Sequence, residues 1–468
     1  LIYAIILAGG KGERFWPLSR MQHPKQLLKI NSEKSMLEET LERIKDFIPV
    51  YRTLLITGSE FQEGILKAVP YLKPENFLIE PEGKNTCLAV GLAAAYLKKK
   101  DPEAVLVVLP SDHLIEPKEK LLHVLEIGSA VAQQGDFLIT LGIPPTRPET
   151  GYGYIEIGEQ FSTQDGVSIY RIKQFKEKPS RTVAQQYYLD RQHLWNSGMF
   201  IWTAKTILSA IKRCVPALYR NLEKFYPILG TPQETEELKN LYASAENISV
   251  DFAVLEKAEN VLTIKTDLHW DDLGSWLALE RIKSKDRDHN VILGQALTVG
   301  SYESTIVNEG EGIVVTYGVS DLVVVKSADI VFVAHKTKVS EIKEILQKLS
   351  RLMREDKLKL KDDKARKAEQ AVEEILKRDS LASIQGRCVE VSARKKQLTD
   401  SPEMEEAKRS LSLFQQQIEQ LKVRKANLEV DERIKGNARD DLLEKIRNHK
   451  KAIEANILSF LGKQVQIK

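Results

Sequence analysis

Apolar runs alternate with helix-spaced patterns along the first 280 residues of the chain. Ile2–Leu7, Thr53–Thr57, Ala104–Leu109, Phe137–Leu141, Tyr154–Ile157 and Met199–Trp202 read as strands. Several are continuous enough to be buried on both faces. Ser35–Phe47 and Ala89–Lys99 carry helical spacing. Strands and helices in alternation predict an α/β unit with a mostly parallel sheet, and chemistry at the carboxyl ends of its strands. Between Val291 and Val333 the pattern changes to short β-rich pieces, Gly312–Thr316, Leu322–Lys326 and Ile330–Val333, broken by glycine. These predict a small all-β domain.

Beyond residue 340 the pattern changes again. Ile342, Ile345, Leu349 and Leu352 have helical spacing, and Met404, Ala407, Leu411, Phe414, Ile418 and Leu421 follow a 3-4 alternation. Residues 341–468 hold one proline, three glycines and two aromatics. Ser401-Pro402-Glu403 suits a helix start and Gly436-Asn437 a stop. The prediction is a helical bundle or antiparallel coiled coil.

Composition sharpens this division. The 468 residues are 42% hydrophobic and 29% charged, and the net charge of +3 is unevenly spread. Residues 341–468 carry 30 Lys+Arg against 23 Asp+Glu, whereas residues 1–340 are net acidic. Those basic residues are interspersed with acids and lack aromatic neighbours, which argues for a solvated helix face and against nucleic-acid binding. No stretch is long and apolar enough to predict a membrane span, and no secretory leader precedes the first strand. Cys87, Cys214 and Cys388 are scattered without metal-ligand spacing, as expected of free thiols in a reducing cytoplasm. Leu1 stands where an initiator methionine would, so a trimmed N-terminus is expected.

The richest local signal is LAGGKGERFWPLSR at residues 7–20, directly after the first strand. Glycines at such a turn let backbone approach a phosphate or a base closely. Arg14 offers a forked donor and Lys25 a point charge for polyphosphate oxygens. The run matches neither the dinucleotide fingerprint, whose third glycine is here an arginine, nor the GxxxxGK[ST] loop. The glycines alone also suit an ordinary strand-to-helix connection. Pro110-Ser111-Asp112-His113 ends another apolar run, where a carboxylate can hold a hard divalent cation or merely cap the next segment. His113 lacks the partners of a zinc site. Trp270-Asp271-Asp272-Leu273-Gly274-Ser275-Trp276 supplies a second acidic cluster. In Phe175-Lys176-Glu177-Lys178-Pro179, Glu177 can accept sugar hydroxyls while Lys178 binds a phosphate; a surface turn is the plain alternative. Gly153 in the loop at 149–154 allows close approach of a sugar. Asn196 in WNSGMF either meets ring hydroxyls or is satisfied by backbone.

Together and in this order, LAGGKGERFWPLSR, PKQ, PSDH, ETGYGYI, FKEKP, WNSGMFIW, SVDFAVLEKAE and WDDLGSW resemble the mannose-1-phosphate guanylyltransferases, or GDP-mannose pyrophosphorylases, over residues 2–345. The resemblance implies a Rossmann-like nucleotidyltransferase domain at 1–285 and a short left-handed β-helix at 286–345. Residues 346–468 would be a helical segment foreign to the family. It implies a cytoplasmic enzyme that makes GDP-mannose and pyrophosphate from GTP and mannose 1-phosphate with Mg²⁺. By matching position, Leu7, Ala8, Gly9, Gly10 and Gly12 would border the nucleotide, with Arg14 and Lys25 on its phosphates. Glu80, Asn85 and Thr86 would face the guanine. Gly153, Glu177, Lys178 and Asn196 would contact the sugar phosphate, and Asp112 and Asp272 would bind metal. Lys84 stands where the family has arginine, Cys87-Leu88 where it has Ala-Pro, and Asp271 where serine is usual. The first two departures leave the base specificity open; the third makes Asp272, by register, the expected metal ligand of the pair. The tail is expected to be a fused passenger, or else a module that self-associates or binds a protein partner. A scaffold that merely carries the helices, or a transferase of different sugar or base, are the rival readings.

Overall fold

The computed structural model describes residues 1–351 apart from Lys11, Met21, Gln22, Asp329 and Ser350. The helical bundle expected at 346–468 lies, from residue 352 onward, outside the described residues. Within Leu1–Ile345, which form one compact unit, the apolar runs become strands. Ile2–Leu7 (β1), Thr53–Gly58 (β2), Phe77–Glu80 (β3) and Val105–Pro110 (β4) pair in parallel in the order β3-β2-β1-β4. Alternate side chains leave opposite faces. Tyr3, Ile5, Leu106 and Val108 enter one core, and Ala4, Ile6, Val105 and Val107 the other. Burial on both sides is why these strands read as unbroken apolar runs.

Helices cover both faces. Met36–Ile44 (α1), Ser59–Ala68 (α2) and, after Asn85–Lys100 (α3), Lys118–Gln134 (α4) are the main helices of the first half. Ser35 starts α1 with a capping box, its hydroxyl accepting from Glu38 N while Glu38 reaches back to Ser35 N. Leu41, Phe61 and Leu125, from α1, α2 and α4, pack on one face. Leu92 of α3 packs on the other. It is joined there by Ile211 and Leu222 from Ala204–Cys214 and Pro216–Phe225.

Beyond β4 the sheet is mixed rather than mostly parallel. A short strand, Leu114–Glu116 (β5), leaves it. Leu138–Ile143 (β6), Gly153–Gln164 (β7), Val167–Lys176 (β8), His193–Thr203 (β9) and Val261–Lys265 (β10) continue it as β9-β6-β10-β8-β7. β9 runs antiparallel to β4 and β6, and the reversal of β8 has a local cause. β7 and β8 form a hairpin across Asp165-Gly166, both at positive φ, the geometry of a tight two-residue turn. His269–Asp271 (β11) pairs antiparallel with β5, Asp271 opposite Leu114. That small ladder brings the segment holding Asp112 alongside the one holding Asp272.

A β-helix-like domain follows. Val291–Leu293 (β12), Ala296–Val299 (β13), Thr305–Glu309 (β14), Val314–Tyr317 (β15) and Leu322–Ser327 (β16) stack as parallel ladders β12-β14-β16 and β13-β15. Ile330–His335 (β17) closes the first ladder antiparallel to β16. Val307, Val323, Val325 and Phe332 from these coils share a third core with Phe15, Leu28, Leu114 and Trp276. Trp276 is fully buried; its indole N–H donates to the Trp16 carbonyl at 3.1 Å and its ring lies 5.0 Å from Phe15. The glycine-rich loop after β1 therefore rests on the β-helix. Among the described residues no helix is long and apolar enough to cross a membrane.

Truncating so large a buried ring leaves a cavity between the two layers, so Trp276→Ala should cost roughly 3–5 kcal/mol. Urea unfolding reads this directly. A loss below about 1 kcal/mol would mean the layers do not depend on this contact.

Candidate active site

The loop after β1 is fixed from beneath. The buried Ala8 carbonyl accepts from Gln26 Nε2 at 2.7 Å and Thr57 Oγ1 at 2.9 Å, and its N–H donates to Ile56 O. Ser111 N donates to Leu7 O at 3.2 Å, tying the end of β4 to the end of β1. Gly12 has φ of 65°, and a Cβ there would overlap Lys25 Cβ and backbone. Glycine is thus required twice, for the left-handed turn and for the approach of Lys25. A single 3-10 turn, Glu13–Phe15, then buries Phe15 and leaves Arg14 exposed.

Lys25 is the hub of the polar site. It is 9% exposed, and its ammonium pairs with Asp112 Oδ2 at 2.7 Å while donating to the Asp272 carbonyl at 2.8 Å. Gly12, Arg14, Lys25, Asp112 and Asp272 line one open cavity of about 460 Å³. Burial alone would raise the Asp112 pKa, but Lys25 and His113 outweigh it and hold the carboxyl below its ordinary value. Burial holds the His113 pKa below its usual range against the pull of Asp112 and Asp272, and its Nδ1 accepts from Trp270 Nε1 at 3.2 Å. Asp271 is not among the residues that line this cavity. Arg281 grips its carboxylate at 2.6 and 2.7 Å, a bidentate pair. Asp272 lies in the cavity wall, its Oδ1 accepting from Tyr152 Oη at 2.8 Å and Gly274 N at 3.0 Å.

Gly153, Glu177, Lys178 and Asn196 gather in a second cluster. Gly153 sits opposite Asn196 across β7 and β9, and a Cβ on it would collide with the Glu177 carboxylate. Glu177 is buried and pairs with Lys178 Nζ at 2.6 Å, while the Lys178 side chain stays half exposed. Asn196 donates to Asp251 Oδ1 at 2.9 Å and accepts from Thr140 Oγ1 at 2.8 Å. The protein thus meets much of its bonding capacity, through side chains rather than through the backbone that the plainer sequence reading expected. Asp251 lies within SVDFAVLEKAE, a run to which the sequence alone gives no chemical role. Burial and the neighbouring Glu177 push its carboxyl up to about 6.

A third cluster lies at the end of β3. Glu80 is buried, and burial pushes its carboxyl up to about 7, opposed by a hydrogen bond from Tyr242 Oη at 3.0 Å. Its other oxygen lies 3.0 Å from where a Gly9 Cβ would stand. Asn85 begins α3 at φ of 64°, and Thr86 Oγ1 accepts from Val250 N at 2.9 Å. Cys87 and Leu88 point into the core; burial pushes the Cys87 thiol up to about 12. Lys84 pairs with Glu82 at 3.3 Å.

Asp112 and Asp272 offer carboxylate oxygens only, and no group of three or more His, Cys, Asp or Glu among the described residues is arranged to hold a metal. A cation here would complete its shell with water and phosphate oxygens, the habit of Mg²⁺ and not of zinc. Besides Asp251, two side chains around the cavity escaped the sequence reading. Lys343 lines the cavity, and Tyr152 reaches Asp272 from a loop valued only for its backbone. Lys343 sits within an amphipathic pattern where a lysine reads as solvated, so no signal marked it.

Comparison with known proteins agrees with this architecture. Residues 3–289 match the nucleotidyl transferase family, and residues 294–349 the MannoseP isomerase/GMP-like beta-helix domain. A putative mannose-1-phosphate guanylyltransferase of Vibrio cholerae is 34% identical over 351 residues, 74% of each chain. The mannose-1-phosphate guanylyltransferase of Escherichia coli K12 is 32% identical, over 74% of this chain and 73% of that one. A Thermus thermophilus structure, described as a mannose-1-phosphate geranyltransferase, superposes with a TM-score of 0.67. It is 37% identical and covers 75% of this chain and 99% of its own. With a matching domain, matching relatives and an open polar cavity at the strand ends, this chain belongs to the nucleotidyl transferase family.

Proposed function

We propose that the chain transfers GMP from GTP to mannose 1-phosphate, giving GDP-mannose and pyrophosphate. One observation carries this reading: Lys25 holds Asp112 and the Asp272 backbone together in a cavity that Arg14 also lines. Two cations and two carboxylates at strand ends suit a polyphosphate with its metal. The names of the relatives support the sugar and the base. The departures at Cys87 and Leu88 fall on buried core positions, which removes them from contact with a base.

In this reading Leu7, Ala8, Gly9, Gly10 and Gly12 border the nucleotide, and Glu80, Asn85 and Thr86 flank its base. Arg14 and Lys25 hold its phosphates. Gly153, Glu177 and Asn196 orient the sugar. Lys178 steers the sugar's phosphate, whose oxygen forms a new bond to the α-phosphorus while the bond to pyrophosphate breaks and pyrophosphate leaves with the electron pair. The attacking oxygen is already an anion at neutral pH, so no general base is needed. Positioning and charge stabilisation do the catalytic work. Asp112 and Asp272 would hold Mg²⁺, which neutralises phosphate charge when bound. Such a biosynthetic reaction belongs in the cytoplasm.

Asp112→Asn and Asp272→Asn should each lower pyrophosphate release by roughly a hundredfold or more. Near-normal turnover at saturating Mg²⁺ would remove that aspartate from the metal site. In the same assay Glu177→Gln should raise the KM for mannose 1-phosphate about tenfold, with little change for GTP. Equal effects on both substrates would contradict its place at the sugar. Competition among GTP, ATP, UTP and dTTP tests the base; preference for UTP or dTTP would assign a neighbouring specificity.

For residues 346–468 the reading is a fused or partner-binding helical module, on the grounds of its shift in composition and its 3-4 spacing. A chain ended at Ile345 should then keep its full specific activity. A folded but inactive truncation would show that the tail helps build the site.

A further inference from the structure

Tyr152 touches both polar clusters at once. Its hydroxyl donates to Asp272 Oδ1 at 2.8 Å, and its backbone carbonyl accepts from Lys178 N at 3.2 Å. The residue is only 6% exposed. Its ring meets Trp195 edge-on at 5.2 Å and Trp270 at 4.8 Å, so the hydroxyl has little freedom to swing away. Arg147 completes the arrangement. It donates to Tyr152 Oη at 3.2 Å from above the Trp195 face, 5.0 Å from the ring centroid. The hydroxyl's acceptor side is thereby occupied, and its one proton is committed to Asp272. The neighbouring Asp271 carboxylate is engaged elsewhere, by Arg281 and by Leu273 N.

We propose that Tyr152 is a positioning residue that fixes the Asp272 carboxylate for a divalent cation and links that carboxylate to the sugar-phosphate loop at Lys178. The inference rests on Asp272 being a metal ligand, as proposed above. A carboxylate that accepts a fixed hydrogen bond on one oxygen presents the other in a defined direction. The same residue sets the path of the backbone that carries Glu177 and Lys178. Seating of the cation and seating of the sugar phosphate are therefore coupled, and the coupling is reciprocal.

Tyr152→Phe keeps the ring packing and removes only the hydroxyl. In the full chain, titrated with Mn²⁺ alone and followed by the resonance of the free ion, this variant should bind Mn²⁺ roughly tenfold more weakly. The Mg²⁺ concentration for half-maximal turnover should rise in parallel, with kcat largely restored at saturating Mg²⁺. The KM for mannose 1-phosphate should fall with rising Mg²⁺ in the parent and lose most of that dependence in the variant. A purely structural defect would not be rescued by metal. Arg147→Met, with the tyrosine intact, is the second variant should Tyr152→Phe not fold; it should shift Mn²⁺ binding in the same direction but less. Asp272→Asn separates the ligand role from the positioning role. If it weakens Mn²⁺ binding and Tyr152→Phe does not, the positioning role is wrong and the ligand assignment stands. If Asp272→Asn binds Mn²⁺ like the parent, the ligand assignment fails and the role of Tyr152 falls with it.

Discussion

One buried ammonium organises the site. Lys25 is held by the Asp112 carboxylate and the Asp272 carbonyl, and its own backbone is packed against Gly12. Three segments distant in sequence thus meet at one charge. Withdrawing a lysine from water is costly unless it is paired, and a carboxylate left buried beside it would be equally unstable alone. The pair is thus a strong constraint on where the three loops lie. Because Gly12 accepts a left-handed backbone, the loop can fold tightly enough for Lys25 to reach inward, leaving Arg14 on the open side.

The fold delivers those segments by two different means. The parallel half of the sheet brings the ends of β1 and β4 side by side, and Ser111 N bonds the two. Asp272 arrives differently, through the short antiparallel ladder of β5 with β11, outside the main sheet. Below them the third core joins Phe15 and Trp276 to the β-helix. The β-helix is thus part of what supports the glycine-rich loop after β1, not a separate appendage. Tyr152, immediately before β7, spans the gap to the Glu177 cluster.

Much of this was legible in the sequence, and the reasons are physical. β1 and β4 are buried on both faces, so their apolar runs announced a covered sheet; glycine at position 12 announced a turn that other residues resist. The helical spacing that opens at Ser35 marked α1, whose start the capping box fixes. What escaped depended on partners distant in sequence. β8 carries charged residues on an exposed face, and its hairpin with β7, turned at Asp165-Gly166, and its pairing with β10 make it a strand. The strand read at Met199–Trp202 begins earlier, at His193, because Asn196 and Ser197 find polar partners inside the sheet. Their hydrogen bonds to Thr140, Asp251 and the Leu141 carbonyl let them lie buried in the sheet. Asp271 and Asp272 are hard to tell apart as neighbours in sequence; Arg281 and Tyr152 give them different environments.

If the Lys25 hub and the Glu177 cluster serve two substrates of a single transfer, nucleotide cleavage must depend on the sugar phosphate. Incubating the full chain with GTP, mannose 1-phosphate and Mg²⁺ while measuring both pyrophosphate and GDP-mannose tests this most directly. The two products should appear in equal amounts, and only when both substrates and the metal are present. Pyrophosphate released without mannose 1-phosphate, or none released with all three components, would contradict it.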